Sequence, residues 1–200
     1  MSNALGCDLA RLVGAAERAH DACIGNGRFS QRIHVLDRGG WQHCLGLPRE
    51  LTAGQNGALR QQPVREVEGM RGAETAATGE LAIEGDPVRC FDFIAMGIDA
   101  SFELVLAVGL RLAWLPAWEG LPARLELRFL DESRGGIGFG RTVRREPLNR
   151  LADLRVVGDA SSVEAFANGD ELCLSTRYYP ERYGLSAHAP SADLRFWPLG

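Results

Sequence analysis

The stretch from Leu154 to Pro180 constrains the fold of this chain more than any other. It contains two runs of strand-forming residues joined by Asn168-Gly169. An Asn-Gly pair between alternating runs favours a tight type I′ hairpin, because both central residues of that turn need a positive φ. The sequence therefore predicts an antiparallel β hairpin in the C-terminal half of the chain.

The same pattern of short strands extends over most of the chain. After Gly72 the apolar residues recur with period two, in short runs separated mostly by Gly, Pro and Asp. Such runs are typical of an antiparallel β-sandwich, and the strand-helix alternation of a parallel α/β sheet is absent. We therefore expect a mainly β, jelly-roll-like sandwich. The predicted strands are Glu80–Glu84, Cys90–Ile98, Ser101–Val108, Leu125–Phe129, Arg141–Arg145, Leu154–Val157, Ser162–Ala167, Glu171–Tyr178 and Ala192–Trp197.

The first 72 residues follow a different pattern. Leu5, Leu9, Leu12, Val13 and Ala16 recur at helical spacing and predict a short N-terminal helix over residues 4–23. This segment also lacks a basic stretch followed by a continuous apolar core, so no secretory signal is expected.

The segment before the sandwich is predicted to contain short elements. Trp41–Leu51 suggests a strand that Pro48 interrupts, and residues 55–57 suggest a turn before a short strand at Leu59–Gln62. Pro63–Arg71 has Pro at a first-turn position and charges at helical spacing. It is therefore predicted to form a short linker helix.

Composition excludes several classes of function. The net charge of −4 argues against a nucleic-acid partner, and no run of about 18 apolar residues is present to span a membrane. The five cysteines are odd in number and lack CxxC spacing. Reduced thiols in a cytoplasmic protein fit this pattern better than a disulfide framework.

The sequence contains no recognisable motif for a metal or a phosphate. His20, His34, His43 and His188 are scattered and no HExxH motif occurs, so neither a metal nor another cofactor is expected. The glycine-rich run at 135–140 has neither dinucleotide spacing nor a P-loop ending, and a flexible hairpin or bulge explains it better.

Carboxylates and aromatic residues leave two interpretations open. Glu164 alternates with core-type residues in its strand, and no second carboxylate is paired with it as glycoside hydrolysis requires. We interpret Glu164 as a hydrogen-bonded or rim carboxylate, and no catalytic residue is assigned. Six aromatic residues would serve either a sugar-binding surface or core packing, and packing is favoured. They are Trp114, Trp118, Tyr178, Tyr179, Tyr183 and Trp197.

Three separated motifs together resemble glycoside hydrolase family 32, the β-fructofuranosidases and sucrose-6-phosphate hydrolases. Gly39–Leu51 resembles the end of the family's catalytic propeller, and Leu59–Arg71 resembles the linker that follows. Leu154–Pro180 resembles the late hairpin of its C-terminal sandwich, and the ending Phe196–Leu199 is also similar. The resemblance implies three parts: an N-terminal appendage at 1–38, a propeller end and linker at 39–72, and a C-terminal sandwich at 73–200.

The family's catalytic motifs are missing from this sequence. Members carry a nucleophilic Asp, an Arg-Asp-Pro motif and the acid/base Glu of a Glu-Cys motif on the propeller, and none of the three occurs here. Residues 1–38 do not resemble the last propeller blade. The resemblance therefore implies a glycosidase module that does not hydrolyse fructosides by itself.

Three hypotheses follow from the resemblance. The chain is a C-terminal fragment or remnant of a β-fructosidase, a stand-alone carbohydrate-binding or dimerisation sandwich, or the product of a degraded or mis-started reading frame. Its implied partners are fructose-containing sugars, a second copy of the chain, or a separate propeller domain. Without a propeller, apolar surface near Trp41–Leu51 and the linker is expected to be exposed.

Overall fold

The computed structural model describes residues 46–54, 59–106, 109–130, 142–160, 162–169, 171–178, 180 and 182–200. The mainly β expectation is confirmed, because all ladders between the described strands are antiparallel. Within the described residues, helical structure is confined to two short 3-10 segments, Arg65–Met70 and Asp86–Val88. The strands are β1 (Arg49–Ala53), β2 (Leu59–Pro63), β3 (Thr75–Glu84), β4 (Phe91–Met96), β5 (Phe102–Leu106), β6 (Leu110–Leu115), β7 (Arg124–Phe129), β8 (Val143–Pro147), β9 (Asp153–Asp159), β10 (Ser162–Ala167), β11 (Leu172–Arg177) and β12 (Gly184–Pro198).

Ten of these strands form one continuous ladder that divides into two halves. Its order is β11-β10-β9-β4-β12-β5-β6-β7-β8, with β3 also paired to β12. The C-terminal part of β12 pairs with β4, whereas its N-terminal part pairs with β5. We call the half from β11 to β4 the first sheet and the half from β5 to β8 the second sheet. Strands β12 and β3 contribute to both.

The passage between the two sheets lies at a bend in β3 and β12. The β3–β12 register shifts between His188 and Asp193, and Gly79 and Ser191 at this point have φ values of 81° and 67°. A left-handed residue in a strand interrupts the pleat, and such irregularities allow one strand to change sheets. The bend therefore turns one long strand pair into a shared edge of the sandwich.

The core lies between the two sheets and follows the alternation of the strands. In β5 and β7 every second residue is buried, with Phe102, Leu104, Leu125 and Leu127 at most 2% exposed. The rings of Phe93 on β4 and Phe102 on β5 are 6.5 Å apart between centroids, so side chains of the two sheets meet directly. The residues between them, such as the charged residues of β7, point away from the core.

The predicted hairpin is present, with a longer loop than expected. Asn168 and Gly169 both have positive φ, 53° and 58°, as a type I′ turn requires. However, the ladder of β10 and β11 closes at Ala167 and Leu172, so four residues rather than two connect the strands. The Asn168 amide accounts for part of the difference: its Oδ1 accepts the Ala152 backbone N–H at 2.8 Å and its Nδ2 donates to the Arg150 carbonyl at 2.7 Å.

Most predicted strands match observed ones, but β6 was missed. In the sequence, Gly109 and Arg111 interrupt the apolar run from Leu104 to Leu115, and no strand is predicted after Val108. In the structure Gly109, with φ 80°, donates to the Leu106 carbonyl in the turn before β6, and Arg111 occupies the outward face of that strand. The predicted starts of two strands were also wrong. β3 begins at Thr75 rather than Glu80, and β12 begins at Gly184 rather than Ala192.

The linker prediction was correct in outline. The short helix exists as a 3-10 helix at Arg65–Met70, and β1 and β2 pair antiparallel. Residues 46–48 are not strand, so β1 starts only after Pro48. The predicted turn at 55–57, the helix at 4–23 and the glycine-rich run at 135–140 lie outside the described residues.

Candidate functional site

The outer face of the first sheet is covered by the segment that precedes the sandwich, at residues 46–54 and 59–72. We call this segment the linker and the face it covers the linker face. The strands of this sheet turn alternate residues away from the core, among them Asp92 on β4 and Glu164 on β10. Both carboxylates are buried, at 0% and 2% exposure. Burying a charged group is costly unless it is paired and hydrogen-bonded, so their partners determine what this face does.

Glu164 is bound by the beginning of the linker. Its Oε1 accepts the backbone N–H of Leu47 at 2.7 Å, and its Oε2 accepts Nη2 and Nε of Arg49 at 2.5 and 3.0 Å. The Arg49 guanidinium also lies 5.4 Å from the centroid of the Phe166 ring. A Cβ on Gly46 would lie 3.0 Å from Glu164 Oε1, so the absence of a side chain there allows the linker to approach. Glu164 is therefore a hydrogen-bonded carboxylate, as the sequence indicated.

Asp92 is bound by two arginines from different parts of the chain. Arg71, at the end of the linker, donates its Nε at 2.9 Å, and Arg155 on β9 donates Nε at 3.0 Å and Nη2 at 2.7 Å. The Arg71 guanidinium also stacks on the Trp197 ring, 4.0 Å from its centroid. Arginine suits this arrangement because its planar group donates several hydrogen bonds and stacks on aromatic faces at once.

An apolar layer and backbone hydrogen bonds complete the attachment of the linker. Val67, Val157, Phe166 and Trp197 are buried but lie outside the main core cluster. Gly72 donates its N–H to the Pro198 carbonyl at 2.8 Å, and Gly200 donates to the Met70 carbonyl at 3.1 Å. The end of the linker is thus attached to the last residues of the chain.

The hairpin of β1 and β2 leaves apolar surface uncovered. Leu51 is 43% exposed and Leu59 is 50% exposed, which agrees with the expectation of exposed apolar surface at the linker. Leu51 pairs with Gln61 and Leu59 with Ala53, so the two leucines are diagonal neighbours on one face of this strand pair.

The aromatic residues do not assemble into a sugar platform among the described residues. Tyr178 and Trp197 are buried, and Trp114 and Tyr183 pack against the core. Trp118 alone is largely exposed, at 69%, on the tip between β6 and β7, and Tyr179 lies outside the described residues. The packing interpretation is therefore confirmed for four of the six.

Neither the cysteines nor the histidine among the described residues is arranged as an activated nucleophile or metal ligand. Cys90 and Cys173 are half-buried thiols, and burial together with the Asp159 carboxylate raises the pKa of Cys90, the opposite of what a nucleophilic thiol needs. His188 is 55% exposed and lies 3.1 Å from Glu80. Within the described ranges no group of three potential metal ligands occurs, and no helix there is long and apolar enough to cross a membrane.

Asp92, Arg49 and Arg71 were missed by sequence reasoning. A lone Asp between Phe91 and Phe93 in an apolar run was the available signal for a buried carboxylate. The two arginines lie in the segments that carry the family resemblance, but their sequence pattern does not show which carboxylates they bind.

Comparison with known proteins agrees with this architecture. The family model described as "Glycosyl hydrolases family 32 C terminal" matches residues 129–198. A raffinose invertase of Escherichia coli is 33% identical over 171 residues, covering 76% of this chain and 33% of the relative. A sucrose-6-phosphate hydrolase of Salmonella typhimurium is 30% identical over 176 residues, covering 80% of this chain and 32% of the relative.

The fold is also that of solved structures. The structure of sucrose-6-phosphate hydrolase from Lactobacillus gasseri matches with a TM-score of 0.66 and 20% identity, covering 80% of this chain and 34% of that one. An exo-inulinase from Aspergillus awamori matches with a TM-score of 0.59 over 84% of this chain. The chain spans about a third of the length of the curated relatives it matches.

The fold and the buried ion pairs define an antiparallel β-sandwich module that carries its own linker. Residues 129–198 are a C-terminal module of glycosyl hydrolase family 32.

Proposed function

We propose that this chain is the supporting module of a β-fructosidase and does not itself cleave sugars. One observation carries the proposal: the two buried carboxylates of the linker face, Asp92 and Glu164, are each used to hold the linker. Hydrolysis of a glycoside needs two carboxyl groups across one scissile bond, one of them free to transfer a proton. Carboxylates already bound by arginines do not meet that need.

The support acts by fixing the segment that leads to a catalytic domain. The linker is attached near its start through Arg49 and at its end through Arg71, while Leu51 and Leu59 between them remain exposed. A catalytic propeller that contacts these leucines is held rigidly with respect to the sandwich. The substrates of the assembled protein are fructose-containing sugars, in line with the relatives named as acting on raffinose and sucrose 6-phosphate.

A chimaera tests the support role. Residues 46–200 replace the corresponding module of the Salmonella typhimurium sucrose-6-phosphate hydrolase, and release of fructose from sucrose 6-phosphate is measured. We expect a soluble, active chimaera whose half-life at elevated temperature falls several-fold with Arg71→Ala. Arg65→Ala is the matched control, because Arg65 lies on the same linker with 86% of its side chain exposed.

Two results contradict the proposal. One is a folded chimaera no more stable than the propeller domain without a sandwich. The other is fructose release from sucrose or sucrose 6-phosphate by the isolated 200-residue chain, after a mock purification has excluded a contaminating hydrolase.

A further inference from the structure

The outer face of the second sheet has a charge distribution that the support role does not use. We call it the charged face. Its outward charged residues on β3 and β5 are the glutamates Glu80, Glu84 and Glu103, whereas those on β6, β7 and β8 are the arginines Arg111, Arg124, Arg128 and Arg145 with the single carboxylate Glu126. Small or apolar residues, Ala82, Val105, Ala113 and Val143, lie among them. We call the part formed by β3 and β5 the acidic side and the part formed by β6, β7 and β8 the basic side. With His188 neutral, the acidic side carries three negative charges and the basic side a net three positive charges.

The basic side is organised around Glu126. This carboxylate is 4% exposed and accepts Nε of Arg128 at 2.8 Å and Nε of Arg145 at 2.5 Å, with Arg124 Nε 3.8 Å away. One carboxylate therefore neutralises only one of the three guanidiniums around it. The Arg145 side chain is 51% exposed, so it remains accessible to a partner.

The acidic side forms an open cleft. The cleft has a volume of about 430 Å³, and its lining includes Glu80, Glu103, Ser186 and His188. Glu80 and His188 are 80% and 55% exposed. An exposed guanidinium of a partner would find carboxylates here, as the guanidinium of Arg111 does with Glu103 at the edge of the acidic side.

The two sides are arranged symmetrically about the middle of the sheet. Cross-strand pairing places six residues in one row across six strands, in the order Glu80, His188, Glu103, Ala113, Glu126 and Arg145. A twofold axis parallel to the strands, between Glu103 and Ala113, brings Glu80 of one copy against Arg145 of the other. It opposes no like charges in this row, because Glu126, which lies opposite His188, is buried and already bound by Arg128 and Arg145.

From this symmetry we infer that the charged face is the site where a second copy of the chain docks, face to face. A twofold interface uses the same patch on both partners, so the patch must be self-complementary, and this one is. Two twisted sheets pack at about 30° to each other, and the long side chains of Glu80 and Arg145 span the resulting offset.

The size of the face sets the expected affinity. Six strands about 4.8 Å apart, each five to six residues long at about 3.3 Å per residue, make a face of roughly 500 Å². A standard stable interface buries about 800 Å² per partner, so we expect this smaller face to give a weak, reversible dimer. Since the contacts are between charges near solvent, salt should weaken it.

Charge reversal of the outermost pair provides the test. Full-length Glu80→Arg and Arg145→Glu are examined separately and as an equimolar mixture by analytical ultracentrifugation, from about 5 to 500 μM. Each variant alone places like charges together twice and should dimerise at least tenfold more weakly than the wild type. In the mixture both contacts are attractive again, so a heterodimer should form with about wild-type affinity.

The mixture also serves as a control for folding, because two misfolded variants would not restore each other. A wild type that stays monomeric up to 500 μM overturns the inference. So does a dimer whose affinity is unchanged by both substitutions and by raising salt from 50 to 500 mM, since that dimer would use another surface, such as the β1–β2 hairpin.

Discussion

On the linker face, Asp92 and Glu164 each bind an arginine of the linker, and Asp92 shares its carboxylate with Arg155 of the neighbouring strand β9. On the charged face, Glu126 binds only arginines of its own and a neighbouring strand among the described residues. Arg71 and Arg49 reach Asp92 and Glu164 from the linker. Arg128 and Arg145 lie beside Glu126 in the second sheet. Buried carboxylates thus attach an additional segment on one face and organise an accessible surface on the other. All three carboxylates are buried, so the residues that bind them, rather than their burial, indicate the role of each face.

Removal of Asp92 should have the largest effect. Asp92→Ala leaves Arg71 and Arg155, with side chains 19% and 18% exposed, without their shared carboxylate. Breaking a buried ion pair costs about 3–5 kcal/mol, and we expect that loss in the free energy of unfolding measured with urea. On the other face, Glu126→Ala should cost about 1 kcal/mol, since Arg128 and Arg145 reach water. Equal losses for the two variants would remove the distinction between the faces.

Gly158→Ala tests the core that both faces share. A Cβ at this position on β9 would lie 2.1 Å from Cε1 of Phe91, so the ring or the strand must move. Overpacking of this kind costs about 1–3 kcal/mol, and a contact this short places the loss at about 3 kcal/mol in thermal unfolding. Gly69→Ala in the linker is the control, because no atom lies within 4 Å of its added Cβ. A midpoint within 1 °C of the wild type for Gly158→Ala would contradict the described packing.

Glu164→Gln should loosen the linker without unfolding the sandwich. The neutral amide keeps the size of the side chain but weakens its hydrogen bonds to Arg49 and Leu47, at a cost of about 1–2 kcal/mol. Hydrogen exchange should therefore become several-fold faster in residues 46–63 and stay unchanged in β5 to β8. Faster exchange in both sheets would instead make Glu164 part of the global core.

Acid should affect the charged face through Glu126. Burial of this carboxyl raises its pKa, but hydrogen bonds from Arg128 and Arg145 outweigh burial and bring the pKa below its ordinary value of 4.5. The folded state then binds fewer protons than the unfolded state. The stabilisation is complete above pH 4.5 and disappears as the pH falls through the lower folded pKa.

The measurement for this prediction compares wild type with Glu126→Gln between pH 7 and pH 2.5. The difference in unfolding free energy between them, about 1 kcal/mol at neutral pH, should shrink as the pH falls below 4.5. A difference that grows on acidification would mean that Glu126 is stabilised in its protonated form.

Local sequence patterns predicted the sheet architecture well, because the alternation of apolar and polar side chains along a strand involves only neighbouring residues. The placement of Glu164 on the face opposite Val163 and Ala165 followed from that alternation. Its partner Arg49 is 115 positions away along the chain, and such a pairing is decided by how the linker folds back. Strand β6 was missed because Arg111 reads as an interruption of an apolar run when it is the outward residue of an alternating strand.

The bend shared by β3 and β12 has a consequence for how the protein is made. β3 is the first strand of the sandwich and β12 the last, and both halves of β3 pair with β12. On the ribosome, β3 emerges more than a hundred residues before its partner, so the two sheets cannot be joined until the last residues have been synthesised. Long-range pairing of this kind is slow and leaves strand edges exposed meanwhile. Premature termination a dozen residues early would therefore yield an open, aggregation-prone chain rather than a slightly shorter sandwich.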